Sequence, residues 1–181
     1  MRSGSWARPW VLPSCDDEGT KARKNYLIKN GILAGRLHSG QTAAALGEDL
    51  TGNARAIDCT FEPIVRMTTT YIEPGDQTFE QLIAPIQKGY YIKTISHGSG
   101  MSTFTIAPRL AYEIENGHLG KPTQISVITG SVFETLGLID GLSNELTLLS
   151  FVTGGCGKME QQGLPVGFGG PCVRVSEMNV Q

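Results

Sequence analysis

The sequence predicts an α+β protein built mainly on an antiparallel β-sheet, with a few short helices. Short runs of β-branched and aromatic residues recur along the chain, and such runs are typical of strands. Asn-Gly pairs stand between apolar runs, as they do in tight hairpins. Strand–helix–strand alternations are few, which disfavours a parallel, doubly wound sheet.

Two Asn-Gly pairs mark the expected hairpins. Asn30-Gly31 and Asn116-Gly117 each fall in the pattern Y-x-I-x-N-G-x-L, which begins at Tyr26 and again at Tyr112. Both central residues of a type I′ turn need a positive φ, and this pair supplies it. The repeated pattern fits either a duplicated unit or a recurrent hairpin, and we favour the recurrent hairpin.

Three segments favour short helices: 39–47, 78–86 and 131–140. The first is rich in alanine and stops at a glycine. The second and third begin with a capping-box pattern, Thr78 with Gln81 and Ser131 with Glu134. Pro85 is expected to shorten or end the second helix.

The strand-like runs lie between these helices: 64–72, 90–95, 104–106, 125–128, 146–152 and 173–175. Glycine supplies 23 of the 181 residues, about twice the usual share, which predicts many tight turns. Residues 1–15 show no periodicity and are expected to be irregular. Residues 16–181 are expected to form one domain.

Composition narrows the possible partners and location. The formal net charge of −2 implies no basic patch for nucleic acid. No apolar run approaches the length of a membrane span, and the N-terminus has no apolar core typical of a secretory leader. The four cysteines are spread along the chain without a C-x-x-C pair. Reduced thiols in a cytoplasmic protein are therefore expected.

The glycine-rich stretches do not match nucleotide-binding motifs. In a phosphate loop ending at Gly157-Lys158, the first glycine would fall on Val152 and the hydroxyl residue on Met159. A dinucleotide fingerprint starting at Gly167 would place Cys172 at its third glycine. The sequence HGSGMST fails in the same way.

Metal-binding and acid–base motifs are also incomplete in the sequence. The three histidines form no pair one helical turn apart, and we expect ordinary loop or surface residues: His38, His97 and His118. Asp16, Asp17 and Glu18 form an acidic stretch with two interpretations. It is either a solvated turn with local backbone hydrogen bonds or an anchor beside a metal or a substrate amine.

Cys156 lies between Gly155 and Gly157, with Lys158 close behind. Glycines let the backbone approach another group closely. Successive N–H groups in a turn, together with the charge of Lys158, would stabilise a thiolate. The residues alone leave three possibilities open: a metal ligand, a nucleophile and a small apolar filler in a tight turn.

Seven stretches of the chain resemble, in order, the C-terminal region of the TldD/PmbA family. The first is DDEGT, and the last is GGCGKMEQQGLPVGFGGP, which contains Cys156. Between them stand YLIKNGILAGRLHSGQTAAALG, TGNARA, RMTTTYIEPGD, AYEIENGHLGKP and GLIDGLSNEL. Each stretch alone is a weak signal, but seven in the same order over nearly the whole chain are specific.

The resemblance implies a cytoplasmic zinc metalloprotease that acts on peptides. An intact TldD-type chain is expected to carry an H-E-x-x-x-H helix in its N-terminal half, with two zinc ligands and the general base. Its β-rich C-terminal half adds a cysteine in a G-x-C-G-K block, which corresponds to Cys156 here. PmbA-type chains usually lack the metal ligands, so Cys156 indicates the TldD type. The family implies dimers, either of one chain or with a PmbA-type partner.

The chain departs from the family pattern because it has no H-E-x-x-x-H. Its opening MRSGSW resembles the sequence that follows the metal helix. Catalytic zinc takes three protein ligands and a water. We therefore expect this chain to be inactive alone, with no stably bound zinc, and to need the missing N-terminal half.

Two other functions compete with this interpretation. One is a non-catalytic peptide-binding or assembly module of a TldD/PmbA-type complex. The other is a thiol hydrolase that depends on Cys156.

Overall fold

A computed structural model describes residues 14–181, with the side chains of 151–154 excepted. Most of the segment predicted to be irregular lies outside these residues. The helices are α1 (Gly40–Leu46), α2 (Phe79–Ile83) and α3 (Val132–Gly137). The first strands are β1 (Ile28–Lys29), β2 (Ile32–Leu33), β3 (Ala54–Arg55), β4 (Ile64–Val65), β5 (Thr69–Tyr71), β6 (Lys88–Gly100) and β7 (Thr103–Glu115). The later strands are β8 (His118–Thr123), β9 (Ile128–Ser131), β10 (Ile139–Leu142), β11 (Thr147–Lys158), β12 (Gln161–Gly170), β13 (Val173–Val175) and β14 (Asn179–Val180).

The fold class is confirmed: three short helices accompany sheets that are mainly antiparallel.

The chain divides into two compact units. The first contains the described residues up to Ile72 together with Thr147–Gly169. In this unit β11, β12 and β5 form one sheet, and β5 runs parallel to β12. Ala54, Leu164 and Val166 are buried in its core.

The second unit comprises Glu73–Leu146 and Gly170–Gln181. Its main sheet has the order β14-β9-β7-β6, and β8 pairs with the second half of β7. Strand β7 is central in this sheet: it forms a long hairpin with β6 and also pairs with β8 and β9. Its apolar core consists of Ala111, Ile125 and Ile128, with Ile92, Ile106 and Met178 packed against them.

Both Asn-Gly hairpins are confirmed. Asn30 and Gly31 join β1 to β2 with φ of 53° and 76°. Asn116 and Gly117 join β7 to β8 with φ of 48° and 76°. Two consecutive positive φ angles are the geometry of a type I′ turn, which follows the twist of the flanking strands.

Helix α2 begins at the predicted cap, whereas α3 does not use its own. Thr78 accepts a hydrogen bond from the backbone N–H of Gln81, and the Gln81 side chain bonds back to the Thr78 N–H. Ser131 precedes α3 but makes no side-chain capping bond, so the predicted capping box with Glu134 is wrong. The residue pattern is present there, but the geometry is not.

This difference predicts unequal effects of two alanine substitutions. We expect Thr78→Ala to lower the free energy of unfolding by about 1 kcal/mol, the usual effect of losing an N-cap. Ser131→Ala is the matched control and should change it by less than about 0.5 kcal/mol. Urea unfolding of both variants measures this. Equal losses would contradict the capping difference.

Two predicted strands end elsewhere. The run 64–72 is divided into β4, which pairs with β3, and β5, which pairs with β12. Between them the carbonyl of Met67 accepts from the Arg55 side chain instead of from the backbone of a neighbouring strand. The run 125–128 reaches the sheet only at Ile128, where β9 begins. Across the residues that the structure describes, no helix has the length and apolar character needed to cross a membrane.

Candidate metal-ligand site around Cys156

Cys156 lies inside a strand, so the expectation that it occupies a tight turn is wrong. Strand β11 continues to Lys158, the chain reverses at Met159, whose φ is 54°, and β12 begins at Gln161. The cysteine is half-buried and unpaired. Its Sγ makes only a weak contact, 3.8 Å to the carbonyl oxygen of Gly157. The thiol therefore has no strong internal partner among the described residues.

The two glycines beside Cys156 differ in what a side chain at each position would meet. Gly155 has φ of +53°, and a Cβ atom there would overlap the carbonyl group of Leu164 on β12. A left-handed glycine inside a strand is the conformation found in G1-type bulges. At Gly157 an added Cβ would meet only the flexible end of the Gln162 side chain. Position 155 therefore needs glycine, because the backbone of β12 lies too close for a side chain.

A buried arginine holds the peptide unit of Cys156. Arg66 is 2% exposed, and its Nη2 donates to the Cys156 carbonyl oxygen at 2.5 Å. Its Nη1 donates to the carbonyl of Gln161 at 3.3 Å, across the β11–β12 turn. Sequence reasoning missed this residue. Arg66 opens the RMTTTY stretch that contributes to the family resemblance, which was the only signal available.

The sequence suggested that the charge of Lys158 stabilises a thiolate at Cys156, but the ammonium group bonds a backbone carbonyl instead. Its Nζ donates to the carbonyl oxygen of Val65 at 2.8 Å, so the ammonium binds β11 to β4.

Arg55 is a second arginine of this site. Its Nη1 donates to the carbonyls of Met67 and Pro165, at 2.8 and 3.1 Å. Burial lowers the pKa of Arg55, and the charge of Asp17 opposes that shift. Arg66 lowers this pKa further and Cys156 raises it, so Asp17, Arg66 and Cys156 act electrostatically on Arg55. Arg55 therefore lies close enough to Asp17, Arg66 and Cys156 to interact with their charges.

The side chain of Gln161 holds the loop of residues 57–62. Its side chain is buried. Its Oε1 accepts from the Ile57 N–H at 2.9 Å, and its Nε2 donates to the Glu62 carbonyl at 2.9 Å. One side chain thus ties the 57–62 loop to the start of β12.

The acidic stretch bonds to backbone groups, but it is only partly a solvated turn. Asp16 is buried, and its two carboxylate oxygens accept from the N–H groups of Glu18, Thr20 and Ala54. Asp17 is exposed and accepts from the Ala56 N–H at 2.8 Å.

Glu18 has a separate partner: its Oε2 accepts from the Gly40 N–H at 2.6 Å, at the start of α1. Two of the three acidic side chains therefore join this turn to the segment around β3, and the third joins it to α1.

His38 is buried, so its assignment to the polar surface is wrong. Its Nε2 lies 2.7 Å from Glu48 Oε2, and its Nδ1 lies 3.1 Å from Thr42 Oγ1. Hydrogen bonds from Arg36 and then from His38 lower the pKa of Glu48. This pairing therefore stabilises the fold above the ordinary carboxyl pKa and is lost as the pH falls through the lowered value.

The other two histidines lie on strands of the second unit. His97 is in β6, paired with Ala107, rather than in the expected flexible loop. His118 opens β8 and is exposed, as predicted. Within the described part of the chain, no three His, Cys, Asp or Glu side chains lie close enough together to hold a metal ion.

Comparison with known proteins identifies the family. The model of the PmbA/TldA metallopeptidase C-terminal domain matches residues 7–181. The chain belongs to the TldD/PmbA family. Its place in that family is the C-terminal region, as the resemblance predicted.

Relatives and a solved structure agree with this assignment. A metalloprotease of Synechocystis sp. is 40% identical over 166 residues, covering 91% of this chain and 35% of the relative. A zinc metalloprotease TldD homolog of Saccharolobus solfataricus is 34% identical and covers 91% of this chain and 37% of the relative. The crystal structure of TldE from Thermococcus kodakarensis has a TM-score of 0.68 at 25% identity, over 89% of this chain and 36% of that one. This TldD/PmbA chain spans about a third of the length of the relatives it matches.

Proposed function

We propose that the chain is the C-terminal half of a TldD-type zinc metalloprotease that acts on peptides, and that Cys156 is one zinc ligand. The observation that carries the proposal is the setting of the thiol. Cys156 is half-buried and unpaired, and its own peptide unit is anchored by a buried arginine. A thiol without a strong internal partner, on a backbone that is held in place, suits metal ligation, which needs a fixed donor position.

The donors of the described residues do not make a complete zinc site. Catalytic zinc takes three protein ligands, and no group of three candidate ligands occurs in the described part of the chain. Cys156 supplies one donor, and the remaining ligands and the general base would come from the H-E-x-x-x-H half. Zinc, when bound, supplies a Lewis acid and an activated water. We therefore propose that this chain alone is not an active peptidase.

The strand that carries Cys156 offers a way to bind a peptide. In the described three-stranded sheet β11 is an outer strand, with β12 on its inner side. Outer strands can pair with an extended peptide through main-chain hydrogen bonds. Recognition of backbone rather than of particular side chains follows.

The location and the partners are proposed on the same basis. All four cysteines are unpaired, as expected in the reducing cytoplasm. The proposed partners are the N-terminal half and, in a dimer, a second copy or a PmbA-type chain.

A chimera tests the metal-ligand role. This chain replaces the matching C-terminal third of the Synechocystis relative, and zinc is measured by elemental analysis together with peptide cleavage. Cys156→Ala should remove zinc and lower cleavage by at least about a hundredfold, the upper end of the loss that follows removal of an outer-shell group. Cys172→Ala is the control, because Cys172 is also a half-buried free cysteine, but its thiol interacts with Tyr91.

The outcomes separate the two candidate functions. Unchanged zinc and cleavage in Cys156→Ala would refute the ligand role. A wild-type chimera that binds peptides and assembles into dimers, but neither holds zinc nor cleaves, would instead support the non-catalytic module.

A further inference from the structure

Arg66 is a buried cation whose charge has no carboxylate partner among the described residues. It is 2% exposed, and its contacts through Nη1 and Nη2 are to backbone carbonyls. Its Nε is buried without a hydrogen-bond partner in the described structure. Burying an unpaired charge is costly, so a stable fold alone does not require a cation at this position. This arrangement points to a role toward the neighbouring cysteine.

The guanidinium reaches both sides of the β11–β12 turn. Nη2 donates to the Cys156 carbonyl at 2.5 Å, and Nη1 to the Gln161 carbonyl at 3.3 Å. A planar guanidinium presents its donors in a fixed fork, which lysine cannot reproduce. One side chain therefore sets the separation and orientation of the two strands at the residue that carries the thiol.

Arg66 is itself held in place by buried groups. Its backbone N–H donates to the Asn53 carbonyl at 2.8 Å, and Asn53 Nδ2 donates to the Arg66 carbonyl at 3.1 Å. Asn53 is 3% exposed, and Asn25 Nδ2 donates to its Oδ1 at 3.2 Å. A continuous set of hydrogen bonds thus runs from Asn25 through Asn53 and Arg66 to the peptide unit of Cys156.

We propose that Arg66 is a positioning residue for Cys156: by holding the peptide unit of the ligand, it fixes the place of Sγ. The proposal rests on the proposed function, because it takes Cys156 to be the ligand. Arg66 touches neither metal nor substrate in this role. Its removal should therefore weaken the site without removing a donor.

The metal test uses the chimera with Arg66→Lys and Arg66→Met. Zinc dissociation constants from chelator competition should rise about tenfold for lysine and more for methionine, the size of effect known for outer-shell groups. In the cobalt-substituted protein, the thiolate-to-cobalt absorption should weaken in the same order. kcat should fall by a larger factor than KM rises, because no group that binds the substrate is removed. Arg174→Lys is the control, since Arg174 bonds Leu82 and Asp140 in the other unit.

A second test uses this chain alone and no metal. Each cysteine lies in its own tryptic peptide, because Lys or Arg separates Cys15, Cys59, Cys156 and Cys172. Mass spectrometry can therefore follow the alkylation of each thiol by iodoacetamide. Both Arg66 variants should change the Cys156 rate severalfold and leave the Cys172 rate unchanged. Equal changes at both thiols would indicate general loosening and would overturn the proposal.

The combined results distinguish the two levels of inference. If Cys156→Ala keeps its zinc, the proposed function fails. If Cys156→Ala loses zinc while both Arg66 variants bind zinc and absorb as wild type does, only the positioning role fails. If Arg66→Met does not fold, Arg66→Lys decides alone. A Leu82→Ala variant of equal melting temperature serves as a control for lost stability. If Arg66→Lys loses no more zinc than this variant does, the positioning role is also overturned.

Discussion

Gly155→Ala is expected to lower the free energy of unfolding by about 2 to 5 kcal/mol and to displace the strand that carries Cys156. An L-residue in the left-handed conformation is strained by about 1–2 kcal/mol, and Gly155 has φ of +53°. The added Cβ would also overlap the Leu164 carbonyl group, which is backbone and cannot rotate away. Overpacking of this kind adds about 1–3 kcal/mol. Urea unfolding with circular dichroism measures the loss.

Two other glycines provide controls for this prediction. Gly157→Ala lies on the opposite side of Cys156 but meets the mobile end of Gln162, so a loss of only about 1 kcal/mol is expected. Gly137→Ala, at the end of α3, has open space around it and should be neutral or slightly stabilising. A Gly155→Ala variant as stable as Gly157→Ala would contradict the close approach of β11 and β12.

Asp16→Ala is expected to destabilise the chain by about 3 to 5 kcal/mol. The carboxylate is 5% exposed and accepts hydrogen bonds from three backbone N–H groups. The Ala54 N–H is buried, and leaving a buried donor unsatisfied costs about 1–3 kcal/mol. The bond to Ala54 joins positions 38 residues apart, so its loss also weakens the attachment of the acidic turn to β3, which then depends on the bonds of Asp17. Urea unfolding followed by fluorescence measures the change.

Asp16→Asn and Asp17→Ala refine this test. The asparagine variant keeps the volume but replaces one acceptor by a donor, so about half the loss is expected. Asp17→Ala removes an exposed carboxylate bonded to Ala56 and should cost about 1 kcal/mol. If Asp17→Ala were as damaging as Asp16→Ala, burial would not be the cause.

Short-range features were predictable from the sequence. The Asn-Gly turns, the glycine that ends α1 and the cap of α2 depend on residues within a few positions of each other, and their φ angles and the α2 hydrogen bonds agree with expectation. The failed cap at Ser131 shows the limit of such patterns. There the residue types match, but Ser131 also ends strand β9, whose pairing sets its backbone.

The candidate site was predictable only in part. Cys156 could be selected from its glycine-rich setting and the family resemblance, and its ligand role stays a prediction. Arg66 could not be selected from the sequence, because the carbonyl that it binds is 90 residues away. His38 was misjudged for a similar reason: its partner Glu48 is 10 residues distant and lies beyond a helix.

The sequence alone determined the α+β class, the two tight hairpins, the family and the single cysteine of interest, since these depend on residue types and local order. The tertiary structure decided that the glycine-rich block forms two paired strands and that Lys158 binds a carbonyl. It also brought the Arg66 guanidinium to the Cys156 carbonyl. Those features depend on backbone groups distant in sequence meeting in a low-dielectric interior, where each donor must find an acceptor.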